Sequence, residues 1–316
     1  TAIPIKTRSD PAEAAGGPAS PAAGPGPAPR TGRVQDFFAL TKPRIVLLVA
    51  LTTAVGFYVA VPGGGGAVAL LHTLVGTLFV AAGASALNQV VESDVDGRMR
   101  RTAARPIPAG RLDRRIGGVF AATLGIGGTA YLAVFVNLIT AALAGATLVS
   151  YVLLYTPLKR RSSLNTLIGA VPGALPILGG WAASGSPLTL PAWTLFWMLF
   201  LWQLPHFLAL AWLYRDDYDR AGLRMLTGDD PDGTRTFGQA ALYAAALLPV
   251  SLLPTLLGIA GPVYFGGAVL AGGWFLGTAL TAARRRTAQA ARRLFVVSIT
   301  YLPIALGLLA LDKTLS

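Results

Sequence analysis

Nine apolar runs of about 20 residues succeed one another along the chain, near 43–61, 67–91, 116–136, 138–155, 164–184, 191–213, 237–258, 262–282 and 294–311. A helix of that length crosses a hydrocarbon core of about 30 Å. The pattern therefore predicts an all-α polytopic membrane protein with nine transmembrane helices around a central cavity. The third and fourth runs nearly fuse, and Asn137 marks a tight turn between them. Pro172, Pro176, Pro205, Pro249, Pro254 and Pro303 fall inside runs. They read as packing kinks, because neighbouring helices satisfy the carbonyls that proline frees. Residues 1–30 are rich in Pro, Ala and Gly and lack an apolar periodic face; the expectation is a disordered tail, followed by a transmembrane domain over 31–316.

The polar connections alternate in charge. Of the 26 Lys and Arg, 25 lie in the first 44 residues or in 98–115, 159–161, 215–235 and 284–293, and the intervening connections carry none. The positive-inside rule then puts the N-terminus in the cytoplasm and the C-terminus outside, in a bacterial-type cell membrane. It also accounts for the net charge of +12, so no nucleic acid is expected as a partner. Charged residues make up only 13% of the chain, against about 25% in soluble domains. There is no cysteine, which excludes disulfides, thiolate metal sites and cysteine nucleophiles, and two histidines are too few for a histidine-only metal site.

Against this background the polar residues at the cytoplasmic edge stand out. Asn88, Glu92 and Asp96 recur every four residues at the end of the second run, which lays them along one helix face. Their oxygens are hard ligands suited to Mg²⁺ that bridges to a substrate phosphate. Asp94 lies off that face. A second acidic stretch, Asp216-Asp217-Tyr218-Asp219, follows the sixth run on the same side, and two facing acid clusters would hold one or two Mg²⁺ ions against a diphosphate. Arg98, Arg105, Lys159 and Arg160 are the bases assigned to substrate oxygens; the other loop bases need only set topology or meet lipid headgroups. His206, inside the sixth run, suits an axial heme ligand, a proton carrier or a hydrogen-bonded structural group. His72, far from the acids, reads as structural. Asn165, at the start of the fifth run, lines the cavity or joins helices.

Taken together these segments resemble the heme O synthase (protoheme IX farnesyltransferase) family, within the intramembrane aromatic prenyltransferase superfamily. The resemblance runs from Leu40-Thr41-Lys42-Pro43-Arg44-Ile45 through Asn88 to Arg105-Pro106, then Tyr155-Thr156-Pro157-Leu158-Lys159-Arg160 and Asn165 to Trp181. It ends with Leu204-Pro205-His206-Phe207, Asp217-Tyr218, Ala221-Gly222 and Met225-Leu226. The acidic motif indicates only the superfamily; Pro205-His206-Phe207 and Asp217-Tyr218 point to the heme-modifying branch. The chain has Glu92 where many superfamily members have Asp, and Arg220 and Ala221 stand where a second acid would complete the second motif.

The resemblance implies transfer of farnesyl from farnesyl diphosphate to a vinyl group of protoheme IX, with addition of water. It implies Asn88, Glu92, Asp96, Asp216 and Asp217 as metal ligands and Arg98, Arg105, Lys159 and Arg160 on the diphosphate. His206 then falls on the heme side, with Asn165 and Tyr218 among the substrate-binding residues. Membrane lipids are expected neighbours, and a heme A synthase or terminal oxidase assembly factors the expected partners. Competing readings are a sibling enzyme acting on a quinone precursor or chlorophyll-like acceptor, a transporter, and a heme-binding assembly scaffold.

Overall fold

The computed structural model describes residues 33–61 and 66–314; the tail expected at 1–30 lies outside the described residues. Among the described residues, nine helices are long and apolar enough to cross a membrane: Pro43–Ala60, Ala67–Val91, Arg114–Phe135, Leu138–Leu158, Asn165–Ala183, Leu190–Leu213, Thr234–Leu256, Pro262–Arg285 and Ala288–Leu311. The protein is a multi-pass membrane protein, and the described residues contain no strand, only an isolated bridge between Ala260 and Lys313. Several spans overrun their apolar cores. The ninth starts at Ala288, capped by Thr287 Oγ1 on Ala290 N, and carries Arg292 and Arg293 within its helix. Long basic side chains let a helix continue past the hydrocarbon edge while their charges stay in water.

The turn at Asn137 is built by its own side chain. Oδ1 accepts from Thr140 N at 2.8 Å, and Nδ2 donates to Ala182 O at 2.9 Å, tying the turn to the end of the fifth span. Each span packs on the next in sequence, the ninth also on the first and the sixth, and the first also on the fifth. Small residues set those distances. A Cβ on Gly180 would stand 1.9 Å from Thr53 O, and one on Gly56 2.2 Å from Ile177 O. The backbones of the first and fifth spans thus touch, as van der Waals packing between membrane helices favours. Leu47, Val119, Ile126 and Leu270 are exposed on the outer faces, where lipid replaces water.

Two local features aim side chains at one end of the bundle. A helix that the apolar pattern does not signal, Arg33–Thr41, packs on the second span through Leu40 and is held by Gln89 Nε2 donating to Leu40 O at 2.8 Å. Between it and the first span, Lys42 takes a left-handed backbone (φ 52°, ψ 62°), uncommon for a residue with a Cβ. In the fourth span the backbone is π-helical over Ser150–Tyr155. Pro157 has no N–H to continue the α ladder, and both the N–H and Oγ1 of Thr156 bond to Tyr151 O, five residues back. Single π turns inside helices concentrate at functional sites.

Candidate active site

Asn88, Glu92 and Asp96 stay in one register although the helix bends at Glu92. The bonds Glu92 N to Asn88 O (2.9 Å) and Asp96 N to Glu92 O (2.8 Å) carry the ladder across into a short helix, Ser93–Asp96. All three residues are buried and line one cavity of about 180 Å³ at the basic end of the bundle. Lys42, Arg101, Arg105 and Lys159 share its wall, with Tyr151, Tyr155, Phe207 and Tyr218 on the apolar side.

The charges inside are matched in pairs. Asn88 bridges them: its Oδ1 accepts from Lys42 Nζ at 2.9 Å, and its Nδ2 donates to Glu92 Oε2 at 2.8 Å and to Thr156 Oγ1 at 3.2 Å. Lys159 Nζ donates to Glu92 Oε2 at 3.0 Å, and Arg105 Nη1 to Asp96 Oδ2 at 2.5 Å. Lys159 also lies 4.5 Å from the centre of the Tyr155 ring. Burial first, then the charges of Arg105 and Lys159, lower the Lys42 pKa to about 7, against the opposing pull of Glu92 and Asp96. For Lys159 burial also lowers, but Tyr155 and Glu92 more than reverse it, and its pKa lies above the usual lysine value. The cavity thus gathers four basic side chains, Lys42, Arg101, Arg105 and Lys159, around two carboxylates, Glu92 and Asp96.

Whether a divalent cation fits can be judged from the donor set. Glu92 Oε1 lies 2.9 Å from Lys159 Nζ, yet it is buried and makes no hydrogen bond, so it keeps a lone pair for a ligand. Glu92, Asp96 and Asn88 offer hard oxygens from one helix face, and Mg²⁺ takes few protein ligands, completing its shell from water and phosphate. The residues fit one such ion. Among the described residues no three carboxylate or imidazole side chains gather.

The second acidic stretch is a correction to the sequence expectation. Residues 215–220 form a helix, and the position it turns toward the cavity is Tyr218, packed beside Val95, Met99 and Ala211. Asp216 falls on another face. Its side chain is 84% exposed, pairs with Arg215 at 3.7 Å and lines a separate surface pocket with Asp232 and Arg286. Asp217 pairs with Arg220 and does not line the cavity. Neither carboxylate lines the cavity with the Asn88–Asp96 cluster; Tyr218 takes the inward position on that helix.

Arg98 and Arg160 are exposed and lie outside the cavity wall, also against expectation. Arg105, Lys159 and Tyr218 line the cavity. Asn165 is fully buried behind the wall: its Nδ2 donates to Ser162 O and Arg224 O, both at 2.8 Å, and Arg224 N in turn donates to Lys159 O at 2.7 Å. It shapes the loop that carries Lys159. His206 is half-buried between the sixth and ninth spans and is not part of the wall. The residues that sequence reasoning missed are Lys42, Arg101, Tyr151 and Tyr155. A signal for the tyrosines exists: Tyr151, Tyr155 and Lys159 repeat every four residues, like the acidic trio.

Known proteins share both the sequence pattern and the architecture. The sequence model of the UbiA prenyltransferase family matches residues 49–302. A protoheme IX farnesyltransferase of Solibacter usitatus is 44% identical over 289 residues, covering 89% of this chain and 99% of the relative. A structure of digeranylgeranylglyceryl phosphate synthase superposes with a TM-score of 0.76 at 16% identity, over 88% of this chain and 98% of that one. A UbiA homologue from Archaeoglobus fulgidus bound to GPP and Mg²⁺ superposes with a TM-score of 0.61 at 14% identity, over 87% of this chain and 99% of that one. At those identities the two structures bear on the fold alone.

Proposed function

The chain belongs to the UbiA prenyltransferase family, and from that premise we propose that it transfers the farnesyl group of farnesyl diphosphate to a vinyl group of protoheme IX. Water adds in the same reaction, and the products are heme O and diphosphate. The observation that carries the proposal is the single cavity that joins Asn88, Glu92 and Asp96 to Lys42, Arg105 and Lys159. The choice of protoheme as acceptor is supported by the similarity to a protoheme IX farnesyltransferase over nearly the whole of both chains.

The residues divide the work by chemistry. Lys42, Arg105 and Lys159 would donate to the diphosphate oxygens. Arg and Lys bonds to such oxygens are charge-assisted and strengthen as negative charge builds on the leaving group. Asn88, Glu92 and Asp96 would hold Mg²⁺, and the ion when bound supplies further neutralisation of that charge. The rings of Tyr151, Tyr155 and Phe207 wall the apolar side. They limit water around the allylic cation left when the carbon–oxygen bond breaks, and their faces favour its positive charge. The cation adds to the vinyl carbon, and water captures the resulting cation and loses a proton to solvent to leave a hydroxyl. About 180 Å³ accommodates a diphosphate head but is small beside the 300–1,000 Å³ of ordinary ligand pockets. The isoprenoid tail and the porphyrin therefore lie along the spans, in reach of lipid.

The basic connections gather at the cavity's end of the bundle, which supports a cytoplasmic location for the cavity and an external C-terminus. Polar groups at one membrane edge, rather than at the midplane, also favour an enzyme over a transporter. The test is an assay of purified protein with protoheme, farnesyl diphosphate and Mg²⁺, with and without chelator. The expected product is heme heavier by one farnesyl and one water. A prenylated phenol or quinone formed in preference, or the absence of any covalent product, refutes the assignment.

A further inference from the structure

A second pocket, of about 440 Å³, lies at the basic end of the bundle and shares no lining residue with the acidic cavity. Three spans end around it. Trp212 and Leu213 close the sixth span, Arg286 follows the eighth, and Ala288 opens the ninth. Arg215, Asp216, Pro231 and Asp232, from the connection after the sixth span, complete the lining. The pocket thus sits where helices leave the hydrocarbon, the depth at which phospholipid headgroups lie.

Its charges are two guanidiniums and two carboxylates, and neither guanidinium is saturated. Arg215 Nε stands 3.7 Å from Asp216 Oδ1, beyond hydrogen-bond length. Among the described residues neither the Arg215 guanidinium nor the Asp216 carboxylate makes a hydrogen bond; Arg215 lies over the Trp212 ring, 4.6 Å from its centre. Arg286 Nη1 donates to Asp232 Oδ2 at 3.1 Å and to Thr234 Oγ1, which leaves the rest of its fork open. Ion pairs this exposed contribute little, so a ligand that replaces them gives up little. The backbone of Arg286 is left-handed (φ 49°, ψ 36°), at a helix end where glycine is the usual residue. Strained positions of this kind gather at ligand clamps, and here the strain accompanies a side chain that crosses to Asp232 and Thr234.

Equal numbers of each sign suit a zwitterion. We propose that this pocket binds the headgroup of an ethanolamine phospholipid, its phosphate between Arg215 and Arg286 and its ammonium toward Asp216 and Asp232. Arg forks match phosphate oxygens, and an ammonium brings three donors to the carboxylates. A choline headgroup brings no donor and is held by open aromatic faces. Trp212 offers none: Arg215 covers its ring, and Phe237 packs on it with centroids 5.0 Å apart. An anionic headgroup would face the two carboxylates with nothing to offer them. Leu213, Pro231 and Ala288 leave apolar surface for the glycerol end. Bound there, the lipid ties the end of the eighth span to the connection that carries Tyr218 and Met225 of the cavity wall.

The test uses the full-length protein in detergent, stripped of lipid and titrated with dioleoyl phosphatidylethanolamine, phosphatidylcholine or phosphatidylglycerol. Native mass spectrometry counts bound lipid, and the thermal midpoint is read on the same samples. Arg284, Arg285, Arg292 and Arg293 lie outside the lining, and salt at about 0.5 M screens their general pull on anionic lipid. Wild type is expected to hold the ethanolamine lipid at least about tenfold more tightly than the other two, the worth of one charge-assisted hydrogen bond. Asp216→Asn with Asp232→Asn should reverse the preference toward phosphatidylglycerol, because two guanidiniums then stand alone. Arg215→Gln with Arg286→Gln should weaken the ethanolamine lipid by roughly tenfold or more. Equal affinity for the three lipids overturns the proposal, as does a wild-type preference for phosphatidylglycerol, the mark of a merely basic surface. So does an ethanolamine preference that survives the paired Asp changes. Water-soluble phosphoethanolamine or inorganic phosphate that binds as tightly as the lipid also overturns it, and marks a site for a soluble phosphate compound. Should the paired variants fail to fold, Asp216→Asn alone decides: its side chain is outside the hydrogen bonds of the fold, and an undiminished preference in that variant overturns the proposal.

Discussion

Glu92→Gln is the change that most directly separates chemistry from packing at the cavity. Glu92 and Lys159 face each other at 2.9 and 3.0 Å with side chains only 8% and 13% exposed. The amide keeps the size of the side chain. With its oxygen in the place of Oε2 it still accepts from Asn88 and Lys159, but its NH₂ then lies where Oε1 stood, facing the ammonium. Breaking a buried pair by neutralising one partner costs about 3–5 kcal/mol, and Lys159 is buried enough for the lower part of that range to apply. The turnover penalty has a separate origin. On the proposal that Glu92 would hold the metal and steady a diphosphate-binding lysine, its loss should lower the rate by roughly 10²–10³-fold, the cost of removing one group that stabilises developing charge. The assay is heme O formed per minute by detergent-purified protein across a Mg²⁺ series, with the thermal midpoint measured on the same samples. Adding Lys159→Met to Glu92→Gln should recover stability, because no buried charge is left unpaired, without recovering rate. Glu92→Gln protein that turns over within tenfold of wild type with an unchanged Mg²⁺ dependence refutes the assignment of Glu92.

Other outcomes follow from the same geometry. Asp216→Asn should leave turnover within about twofold, since an exposed ion pair contributes little; a hundredfold loss returns a second acidic site to consideration. Lys42→Met should raise the KM for farnesyl diphosphate roughly tenfold or more, the worth of a hydrogen bond to a charged group, with less effect on protoheme affinity. Gly180→Ala places a Cβ 1.9 Å from Thr53 O where ordinary contact begins near 3.4 Å; parting the first and fifth spans should cost about 1–3 kcal/mol, seen as a lower thermal midpoint. Chelation of Mg²⁺ should abolish heme O formation by the purified protein, and added Mg²⁺ should restore it, if Glu92 and Asp96 hold the ion as proposed.

The fold was legible because a membrane writes itself into sequence coarsely. Runs of about 20 apolar residues and the alternation of basic connections locate all nine spans within a few residues. Where the edges slipped, as at Ala288, arginines within a helix hid its first turns. The acidic trio was legible for a similar reason: a spacing of four survives as a shared face wherever the backbone stays helical, even through the bend at Glu92. Asp216 and Asp217 were misplaced because composition shows that acids are present, not which way a six-residue helix turns, and packing of Tyr218 decided that. Lys42 was hidden by its backbone. Nothing in a Lys-Pro step announces a left-handed residue, and in that conformation its ammonium reaches Asn88.

The π-helical turn in the fourth span carries one residue more than an α-helix of the same height. It lies between an upstream part of the span and a downstream part that delivers Lys159. Deleting one residue between Ser150 and Tyr155 would let the α ladder close with little change in the height or rotational setting of the helix below, because the wider turn absorbs its extra residue. Relatives that differ here by a single-residue gap would thus keep the lysine on the same side of the span, with the change confined to the turn itself.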